Sequence, residues 1–322
     1  MIDITLENFE TSLLADSNQQ PILLDIWAEW CGPCKALGPV LEKLEVEYEG
    51  RFKLAKVNAD EQQEIAGQLS QMFGVRSIPF CVMFVGGQPV DGFVGALPEG
   101  KIREFLDKHI PSTDAIASEV ETIEAEQLAA DGDTETAVSK LLDALDRDPG
   151  NDEARYDLIK LLLEHGQVVG AKEIYEPIRA RASGPLPEAR VAAFGRYLDA
   201  VLGAMEARPL DELQTAIAAN KRDFTARMEL AQTLIAAGEF TLAMEEMLEI
   251  IMRDKAWNDE WARKTYVALL EVMTKPPVKP HPAAQAAAAD AKPKLEIAGK
   301  HEVIANDPVI DQYRRKLSMA LF

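Results

Sequence analysis

Cysteine is scarce in this sequence, with only three among 322 residues. Two of them, Cys31 and Cys34, stand in one C-x-x-C motif, and the third, Cys81, is isolated. So few cysteines exclude a small scaffold held together by disulfides. A second cysteine pair is missing and the four histidines are scattered, so we expect no metal site and no cofactor. The single pair instead points to chemistry at the sulfur atoms, in a reducing compartment.

Positive charge is also in short supply. The chain has 34 Lys and Arg against 54 Asp and Glu, a formal net charge of −20. This balance argues against nucleic acid as the main partner, because phosphate binding needs clustered cations. No apolar run reaches the length of a membrane span, and residues 1–4 lack the basic and apolar regions of a secretory signal. We therefore expect a cytoplasmic protein that binds neither membranes nor nucleic acid.

The first 110 residues alternate strand and helix patterns, within a chain long enough for two or three domains. A nearly continuous apolar run over residues 21–28 is typical of a strand buried on both faces, and residues 52–58 form a second such strand. Residues 80–94 predict a β-hairpin, because two apolar segments flank a Gly-Gly turn. We therefore predict an α/β domain with a mixed sheet over residues 1–110.

After this domain the strand signals stop, and residues 114–273 carry only helical patterns. Gly132 and Gly166 lie 34 positions apart, and so do Ala137 and Ala171. A period of 34 is that of the tetratricopeptide (TPR) repeat, a helix pair in which glycine permits a tight turn and alanine permits close packing. A second match occurs at an offset of 72, close to two periods, at Ala154/Ala226, Leu158/Leu230, Leu162/Leu234, Gly166/Gly238 and Ala171/Ala243. We therefore predict an all-α, TPR-like helical repeat domain with a degenerate middle unit.

The end of the chain differs in composition from both domains. Residues 274–306 are rich in proline and alanine, which predicts a flexible linker. Residues 307–322 predict a final helix, since Asp307 can cap its first turn and Pro308 suits its first position. Its apolar stripe and its cations are Ile310, Tyr313, Leu317 and Leu321, with Arg314, Arg315 and Lys316.

Two roles are open for this final helix. In one, it folds back and covers the open end of the repeat stack, because terminal repeats need a capping surface. In the other, it docks on a partner protein through Tyr313, Leu317 and Leu321, with Arg314 and Arg315 beside them. We favour docking, because a flexible linker suits a detachable motif better than a fixed cap.

The C-x-x-C motif stands where a buried strand meets a helix. Cys31 falls at the helix N-terminus, where unpaired N–H groups and the helix dipole favour a thiolate. This predicts Cys31 as the nucleophile that forms a mixed disulfide, and Cys34, one turn further, as the thiol that resolves it. Gly32 and Pro33 fix the turn between them. Asp25 lies in the preceding apolar strand, and we favour a functional role over a carboxylate that is merely satisfied by local hydrogen bonds.

Residues 1–110 resemble thioredoxins. The match covers Asp25-x-Trp27-Ala28-Glu29-Trp30-Cys31-Gly32-Pro33-Cys34-Lys35, Leu54-Ala55-Lys56-Val57-Asn58, Gly74-Val75-Arg76-Ser77-Ile78-Pro79 and Val94-Gly95-Ala96. The resemblance implies that Asp25 assists proton transfer to and from Cys34, with Lys56 as its partner. It also implies a cis peptide between Ile78 and Pro79 whose backbone docks the substrate chain. The rest of the substrate groove would consist of Trp30, Gly32, Pro33, Gly74 and Gly95.

Two neighbouring positions draw attention within this resemblance. Phe80 follows the proline where thioredoxins carry a small polar residue, which predicts an altered substrate preference of the groove. Cys81 comes next, and its apolar neighbours predict a small buried core residue rather than a reactive thiol.

The order of the domains carries a second resemblance. A thioredoxin domain followed by TPR helices, with an end like Gln312-Tyr313-Arg314-Arg315-Lys316-Leu317, resembles the bacterial chaperedoxin family (CnoX or YbbN type). That resemblance implies a holdase that binds unfolding clients, protects or reduces their cysteines by mixed disulfides, and passes them to the chaperonin GroEL or to DnaK. Thioredoxin reductase is a further candidate partner.

Two other functions stay open at this point. One is a thioredoxin-type protein-disulfide reductase whose TPR domain only targets it to a partner. The other is a non-enzymatic TPR scaffold with a vestigial redox domain. The complete set of Cys31, Cys34, Asp25, Lys56 and Pro79 argues against the scaffold.

Overall fold

The computed structural model describes residues 1–274 and 307–321, so the linker predicted over residues 274–306 lies outside the described residues except for its first position. The described chain forms two compact units, residues 1–120 and residues 121–274 with 307–321. The first contains a mixed sheet with helices and the second contains only helices, which confirms the predicted fold classes. Within the described residues, no helix combines the length and the apolar content that crossing a bilayer requires.

The first unit is built on a five-stranded sheet. Its strands are β1 (Ile2–Asp3), β2 (Ile22–Trp27), β3 (Lys53–Asn58), β4 (Phe80–Val85) and β5 (Gln88–Val94), and its helices are α1 (Gly32–Glu47), α2 (Gln63–Phe73) and α3 (Glu99–Leu106). A π-helical turn, Phe9–Ala15, and a short 3-10 turn, Asp16–Asn18, lead into β2. The strand order is β1-β3-β2-β4-β5, with β1, β3 and β2 parallel and β4 and β5 antiparallel. The central position of β2 explains why its sequence is almost wholly apolar.

Side chains alternate between the two faces of this sheet. On one face, Leu23 of β2 packs with Leu37 and Leu41 of α1 and Ile102 of α3. On the other face, Leu24 and the other outward residues of β2 pack against α2 and the N-terminal segment. Because side chains alternate along a strand, Asp25 lies on the same face as Leu23, the face that α1 covers.

The second unit is a stack of antiparallel helices. They are α4 (Thr113–Ala130), α5 (Thr134–Arg147), α6 (Asp152–Glu164), α7 (Val168–Tyr175), α8 (Ala189–Ala204), α9 (Leu210–Ala219), α10 (Phe224–Ala236), α11 (Phe240–Ile251), α12 (Trp257–Met273, with a break at residues 258–260) and α13 (Pro308–Leu321). A 3-10 segment, Glu176–Ala182, follows α7. One apolar core joins α4 to α8 and α10 to α13, and α9 packs against α10 in a smaller cluster, as expected for repeats that bury their apolar faces against their neighbours.

The repeated glycines and alanines occupy equivalent places in this stack. Gly132, Gly166 and Gly238 form the turns before α5, α7 and α11, at φ of +86°, +70° and +77°, where a side chain would be strained. Ala137 and the two alanines that match it are fully buried in the second helix of each pair. The repeated glycines therefore form the tight turns, and the repeated alanines the close helix contacts, that the TPR-like repeat predicted.

Two buried arginines mark the same repeat and were not predicted. Arg155 of α6 donates to the carbonyl oxygen of Pro149 at 2.6 Å and to that of Ile174 at 3.1 Å. Arg227 of α10, 72 positions later, donates to the carbonyl oxygen of Lys221, the position equivalent to Pro149. Each arginine therefore connects the start of its helix to the preceding loop. We call this arrangement, which occurs once at Arg155 and once at Arg227, the arginine staple.

Candidate active site

Cys31 and Cys34 are joined to each other at the start of α1. Their sulfur atoms are bonded at 2.04 Å. Cys31 is the N-cap residue of the helix, and the Cys34 backbone N–H donates to the Cys31 Sγ at 3.2 Å. Pro33 occupies the first turn, where its missing N–H leaves no helical hydrogen bond unmade. After reduction, the N–H groups and the dipole of α1 therefore favour a thiolate at Cys31.

The two cysteines of the disulfide are almost fully buried, although the residues between them are exposed. Cys31 and Cys34 are each 3% exposed and pack with Ala28, Trp27 and Ile78. Around them Gly32 and Pro33 are exposed. Trp30 is 71% exposed, and its indole Nε1–H donates to Asp60 Oδ2 at 2.9 Å. An exposed indole and an exposed Gly-Pro turn therefore border the covered sulfur atoms.

The proline loop forms a further wall of this site. The peptide between Ile78 and Pro79 is cis, as predicted. Ile78 packs against the cysteine cluster, and the Gly95 N–H donates to the Pro79 carbonyl oxygen at 2.8 Å. Gly74 ends α2 in the left-handed region at φ +68°. The structure thus places Ile78 beside the disulfide and ties Gly95 to Pro79, while Gly74 shapes the loop that carries them.

Asp25 is a buried carboxylate on the sheet face that α1 covers. It is 1% exposed, and burial raises its pKa from an ordinary 3.8 to about 6, while Lys56 and a hydrogen bond from Cys81 act in the lowering direction. Lys56 stands directly opposite Asp25 in the β2–β3 register. Its Nζ pairs with Glu42 Oε1 of α1 at 2.8 Å. A carboxyl that titrates near neutral pH can both accept and return a proton.

The sequence did not indicate that Glu42 and Cys81 contact residues of this site. Glu42 was not considered, because an acidic residue on a helix next to lysines looks like an ordinary solvated position. Cys81 was correctly predicted to be buried, but its thiol also contacts the Asp25 carboxylate, with Cys81 Sγ 3.7 Å from Asp25 Oδ1. That contact depends on the register of β2 with β4, which the sequence does not state.

The Phe80 side chain does not line the cysteine site, and the altered substrate preference predicted from it stays a prediction. The Phe80 side chain is fully buried on the sheet face that packs against α2, where its ring meets Phe73 edge to face at 5.6 Å. Successive side chains of a strand point to opposite faces, so Phe80 turns away from the face that holds Asp25 and Cys81. Gly92 of β5 makes room for the ring, since a Cβ there would lie 3.0 Å from Phe80 Cε2.

The final helix lies on the helical unit. Val309 N–H donates to Asp307 Oδ1 at 2.8 Å, so Asp307 caps α13 as predicted. Tyr313 and Leu317 are buried in the core of this unit, and Leu321 packs against it. The Arg314 and Arg315 side chains are exposed. The capping arrangement, the less favoured alternative of the sequence analysis, is therefore the one that the structure adopts, and docking on a partner stays a prediction.

Polar contacts strengthen this cap. The Tyr313 hydroxyl donates to Glu245 Oε1 at 2.9 Å, and the Tyr266 hydroxyl donates to the Tyr313 carbonyl oxygen at 2.8 Å. Lys316 pairs with the same Glu245 carboxylate and lies 4.5 Å from the centre of the Tyr313 ring. The Lys255 ammonium donates to the Leu321 carbonyl oxygen. The middle and the C-terminal end of α13 are therefore held by groups of α11, α12 and the loop between them.

Comparison with known proteins agrees with this architecture. Residues 1–108 match the thioredoxin family, and residues 128–194 and 203–287 match two tetratricopeptide repeat families. A thioredoxin of Chlorobaculum thiosulfatiphilum is 46% identical over 108 residues, which is 34% of this chain and 94% of that protein. Thioredoxin 1 of Nostoc sp. is 41% identical over 107 residues, 33% of this chain and 94% of that protein.

The fold and the site together define a thioredoxin-type redox protein with a TPR domain, and the chain belongs to the thioredoxin family. Within that class, an N-terminal thioredoxin domain followed by TPR repeats matches the thioredoxin–TPR fusions of the CnoX/YbbN type. The relatives above cover only the first third of the chain.

Proposed function

We propose that this protein is a redox-active chaperone of the cytoplasm, which holds unfolding clients, protects or reduces their cysteines through Cys31 and Cys34, and hands them to GroEL or DnaK. The observation that carries the proposal is the presence, in one chain, of a complete dithiol site and a helical array with a groove that exposes methionine side chains. The first supplies exchange chemistry and the second supplies a surface for unfolded segments.

The redox reaction follows from the geometry of the two cysteines. The Cys31 thiolate attacks one sulfur of a client disulfide, the client S–S bond breaks, and the other client sulfur leaves and takes a proton. Cys34 then gives its proton to Asp25 and attacks the Cys31 sulfur, which breaks the mixed disulfide, and the second client sulfur leaves and takes up a proton from Asp25 or from solvent. The client gains two electrons and two protons, and the Cys31–Cys34 bond is left oxidised as the structure shows it. Thioredoxin reductase is the proposed source of electrons for the next cycle.

Clients need an apolar surface that is accessible and adaptable. A groove of about 400 Å³ lies between α11 and α13, and its lining combines apolar and charged residues: Leu248, Met252, Met319 and Ala320 with Glu245, Glu246, Glu249 and Lys316. Met252 is 55% exposed and Met319 is 76% exposed. Unbranched methionine side chains adjust to many partners, so we assign the first contact with unfolded clients to this groove.

The handover to GroEL is assigned to α13. Its buried stripe holds the helix on its own unit, while Arg314 and Arg315 remain on the outer surface. Two variants separate these roles. Arg315→Ala is expected to weaken capture of GroEL and leave the melting temperature unchanged, whereas Tyr313→Phe, which removes the hydroxyl bonded to Glu245, is expected to lower the melting temperature. Full GroEL capture by Arg315→Ala would contradict a contact through the outer face.

The chaperone role is tested with a heat-unfolded client that contains no cysteine. The double variant Cys31→Ser/Cys34→Ser is expected to suppress its aggregation as the wild type does, because holding needs apolar surface and not sulfur. Residues 1–110 alone are expected to suppress none. Replacement of Met252 and Met319 by Gln is expected to weaken holding, while Val46→Gln, an exposed apolar position of α1, serves as the control.

The outcomes of this assay separate the proposal from its alternative. A wild-type chain that reduces insulin disulfides but does not suppress aggregation would show a reductase whose TPR domain only targets it. Loss of suppression in the double serine variant would show that holding of a cysteine-free client depends on the Cys31–Cys34 pair itself and would overturn the assignment to the groove.

The roles of the two cysteines need a separate test. Cys31→Ser is expected to abolish reduction of insulin disulfides, and Cys34→Ser is expected to accumulate mixed disulfides with clients, because the resolving thiol is gone. The adducts are measured by non-reducing electrophoresis and mass spectrometry. An active Cys31→Ser variant, together with a Cys34→Ser variant that traps nothing, would reverse the assignment.

A further inference from the structure

Three polar side chains face each other across the centre of the sheet. In the strand register, Asp25 of β2 stands opposite Lys56 of β3 on one side and opposite Cys81 of β4 on the other. Side chains in register point to the same face, so all three lie under α1. On β5, the residue opposite Cys81 is Phe93, which is apolar. The row thus consists of a cation, a carboxylate and a thiol, and then becomes hydrophobic.

Cys81 is placed to donate a hydrogen bond to Asp25. Its Sγ lies 3.7 Å from Asp25 Oδ1, a distance at which a thiol still donates. The Cys81 side chain is fully buried, and burial together with the Asp25 charge raises the pKa of its thiol well above the ordinary value. The thiol therefore keeps its proton at neutral pH and acts as a donor, not as a third nucleophile.

Other charged groups act on Asp25 from the neighbouring elements. Lys56 faces it from β3, but the Lys56 ammonium is shared with Glu42 of α1. The cysteine pair is carried at the start of α1, and its sulfurs become titratable after reduction. Lys56 therefore interacts with two carboxylates, Asp25 and Glu42. The Cys81 hydrogen bond stabilises the Asp25 carboxylate directly and independently of Lys56.

We propose that Cys81 is a positioning residue of the dithiol site, whose S–H group holds the Asp25 carboxylate in its ionised form so that it can accept the proton of Cys34. The proposal rests on the proposed dithiol exchange. A donor to a carboxylate favours the charged form over the neutral acid. Without it, more Asp25 is protonated at neutral pH, Cys34 retains its proton, and the mixed disulfide is resolved more slowly.

The test is a titration of Asp25 in the full-length oxidised protein, followed by ¹³C NMR of the aspartate carboxyl carbon. Cys81→Val fills the site without a donor, and Cys81→Ala is a second apolar variant with less bulk. We expect both to raise the titration midpoint of Asp25 by about one pH unit. Cys81→Ser restores a donor and is expected to bring the midpoint back toward wild type. Met83→Leu, at a buried position of the same strand face, is the packing control.

A kinetic readout links the titration to exchange. The rate at which the reduced protein resolves a mixed disulfide is measured against pH for wild type, Cys81→Val and Cys81→Ser. The pH at which the Cys81→Val rate is half-maximal should rise by the same amount as the Asp25 midpoint, and the variants should converge with wild type at high pH, where Asp25 is ionised in all of them.

The proposal and the function beneath it can fail separately. An unchanged Asp25 midpoint in both apolar variants would overturn the role of Cys81, and so would a serine variant that behaves like valine, since that result indicates lost packing alone. Absence of exchange in the wild type would refute the proposed function, while the NMR titration would still decide whether Cys81 controls the ionisation of Asp25.

Discussion

At the scale of single residues, the buried carboxylate of Asp25 lowers the stability of the folded thioredoxin unit. Its pKa is raised from 3.8 to about 6 by burial, so between these two values the folded state binds more protons than the unfolded state. The free energy of unfolding therefore falls as the pH rises through this window, and the full penalty is present above pH 6. The same burial that lowers stability brings the carboxyl into the pH range where it can exchange a proton.

We expect Asp25→Asn to stabilise the oxidised thioredoxin unit at pH 7.5 by about 2–3 kcal/mol, because the buried charge is removed. Below about pH 3, Asp25 is largely neutral in both states, so the difference should nearly disappear. Urea denaturation of residues 1–110 at several pH values measures both limits. A gain that did not depend on pH would show that something other than ionisation was responsible.

The sequence predicted four members of this site and missed the contacts that Cys81 and Glu42 make with two of them. Cys31, Cys34, Asp25 and Lys56 stand in short, recognisable segments, so local motifs are enough to find them. The hydrogen bond from Cys81 to Asp25 joins residues 56 positions apart, and it exists only because β4 pairs antiparallel with β2 in one register. A change of one residue in that register would turn Cys81 to the other face.

At the scale of helices and strands, short-range signals were reliable where they reflected backbone geometry. The glycines at +86°, +70° and +77° and the buried alanines behind them located three helix pairs. The degenerate unit predicted over residues 191–219 forms α8 and α9 without those signals. Helix α2 and the π-helical turn were not predicted. The buried staple arginines were missed because arginine in a helix normally points to solvent.

Arg227 offers a measurable test of the staple. It is buried, ion-paired with Glu246 and Glu249, and bonded to the Lys221 carbonyl oxygen. Arg227→Met is expected to destabilise the helical unit by about 3 kcal/mol, because Glu246 and the Lys221 carbonyl lose their partner, while Glu249 keeps only Arg253. Thermal unfolding followed by circular dichroism measures the loss. Arg222→Met, at an exposed position near the same turn, should change stability by less than about 0.5 kcal/mol.

Removal of the final helix, α13, should lower the stability of the rest of the helical unit. Deletion of residues 307–322 exposes the surface on which Ile310, Tyr313 and Leu317 are buried. We expect the melting temperature of the helical unit to fall by at least about 5 °C, because several apolar side chains return to water. Calorimetry of the truncated chain checks this. Unchanged melting would mean that α13 contributes little to the unit, as the docking interpretation originally supposed.

At the scale of the whole molecule, each unit has its own hydrophobic core. The sheet is filled on both faces within the first unit, and a separate continuous core runs through the helices. The disulfide closes a very short loop, with a sequence separation of three, inside the first unit. Its chain-entropy contribution is therefore modest, about 2 kcal/mol, and belongs to one unit.

Reduction should therefore move only one of two melting transitions. In calorimetry of the full chain with and without dithiothreitol, the transition of the thioredoxin unit is expected to fall by roughly 10 °C. The transition of the helical unit should stay where it is, and Cys31→Ser/Cys34→Ser should no longer respond to reductant. A shift of both transitions together would show that the units unfold as one.

The doubled arginine staple has a consequence for how this chain can be lengthened. Helix α9 packs Leu213 against Ala226 and Leu230 of α10, and the equivalent positions in α6 are Ala154 and Leu158, the same residue types. A duplicate of residues 152–223 inserted after residue 223 would thus offer α9 a surface it already fits, complete with its own staple. We expect the duplicated segment to fold as an additional repeat, and an unchanged helical content per residue in the extended chain would verify this.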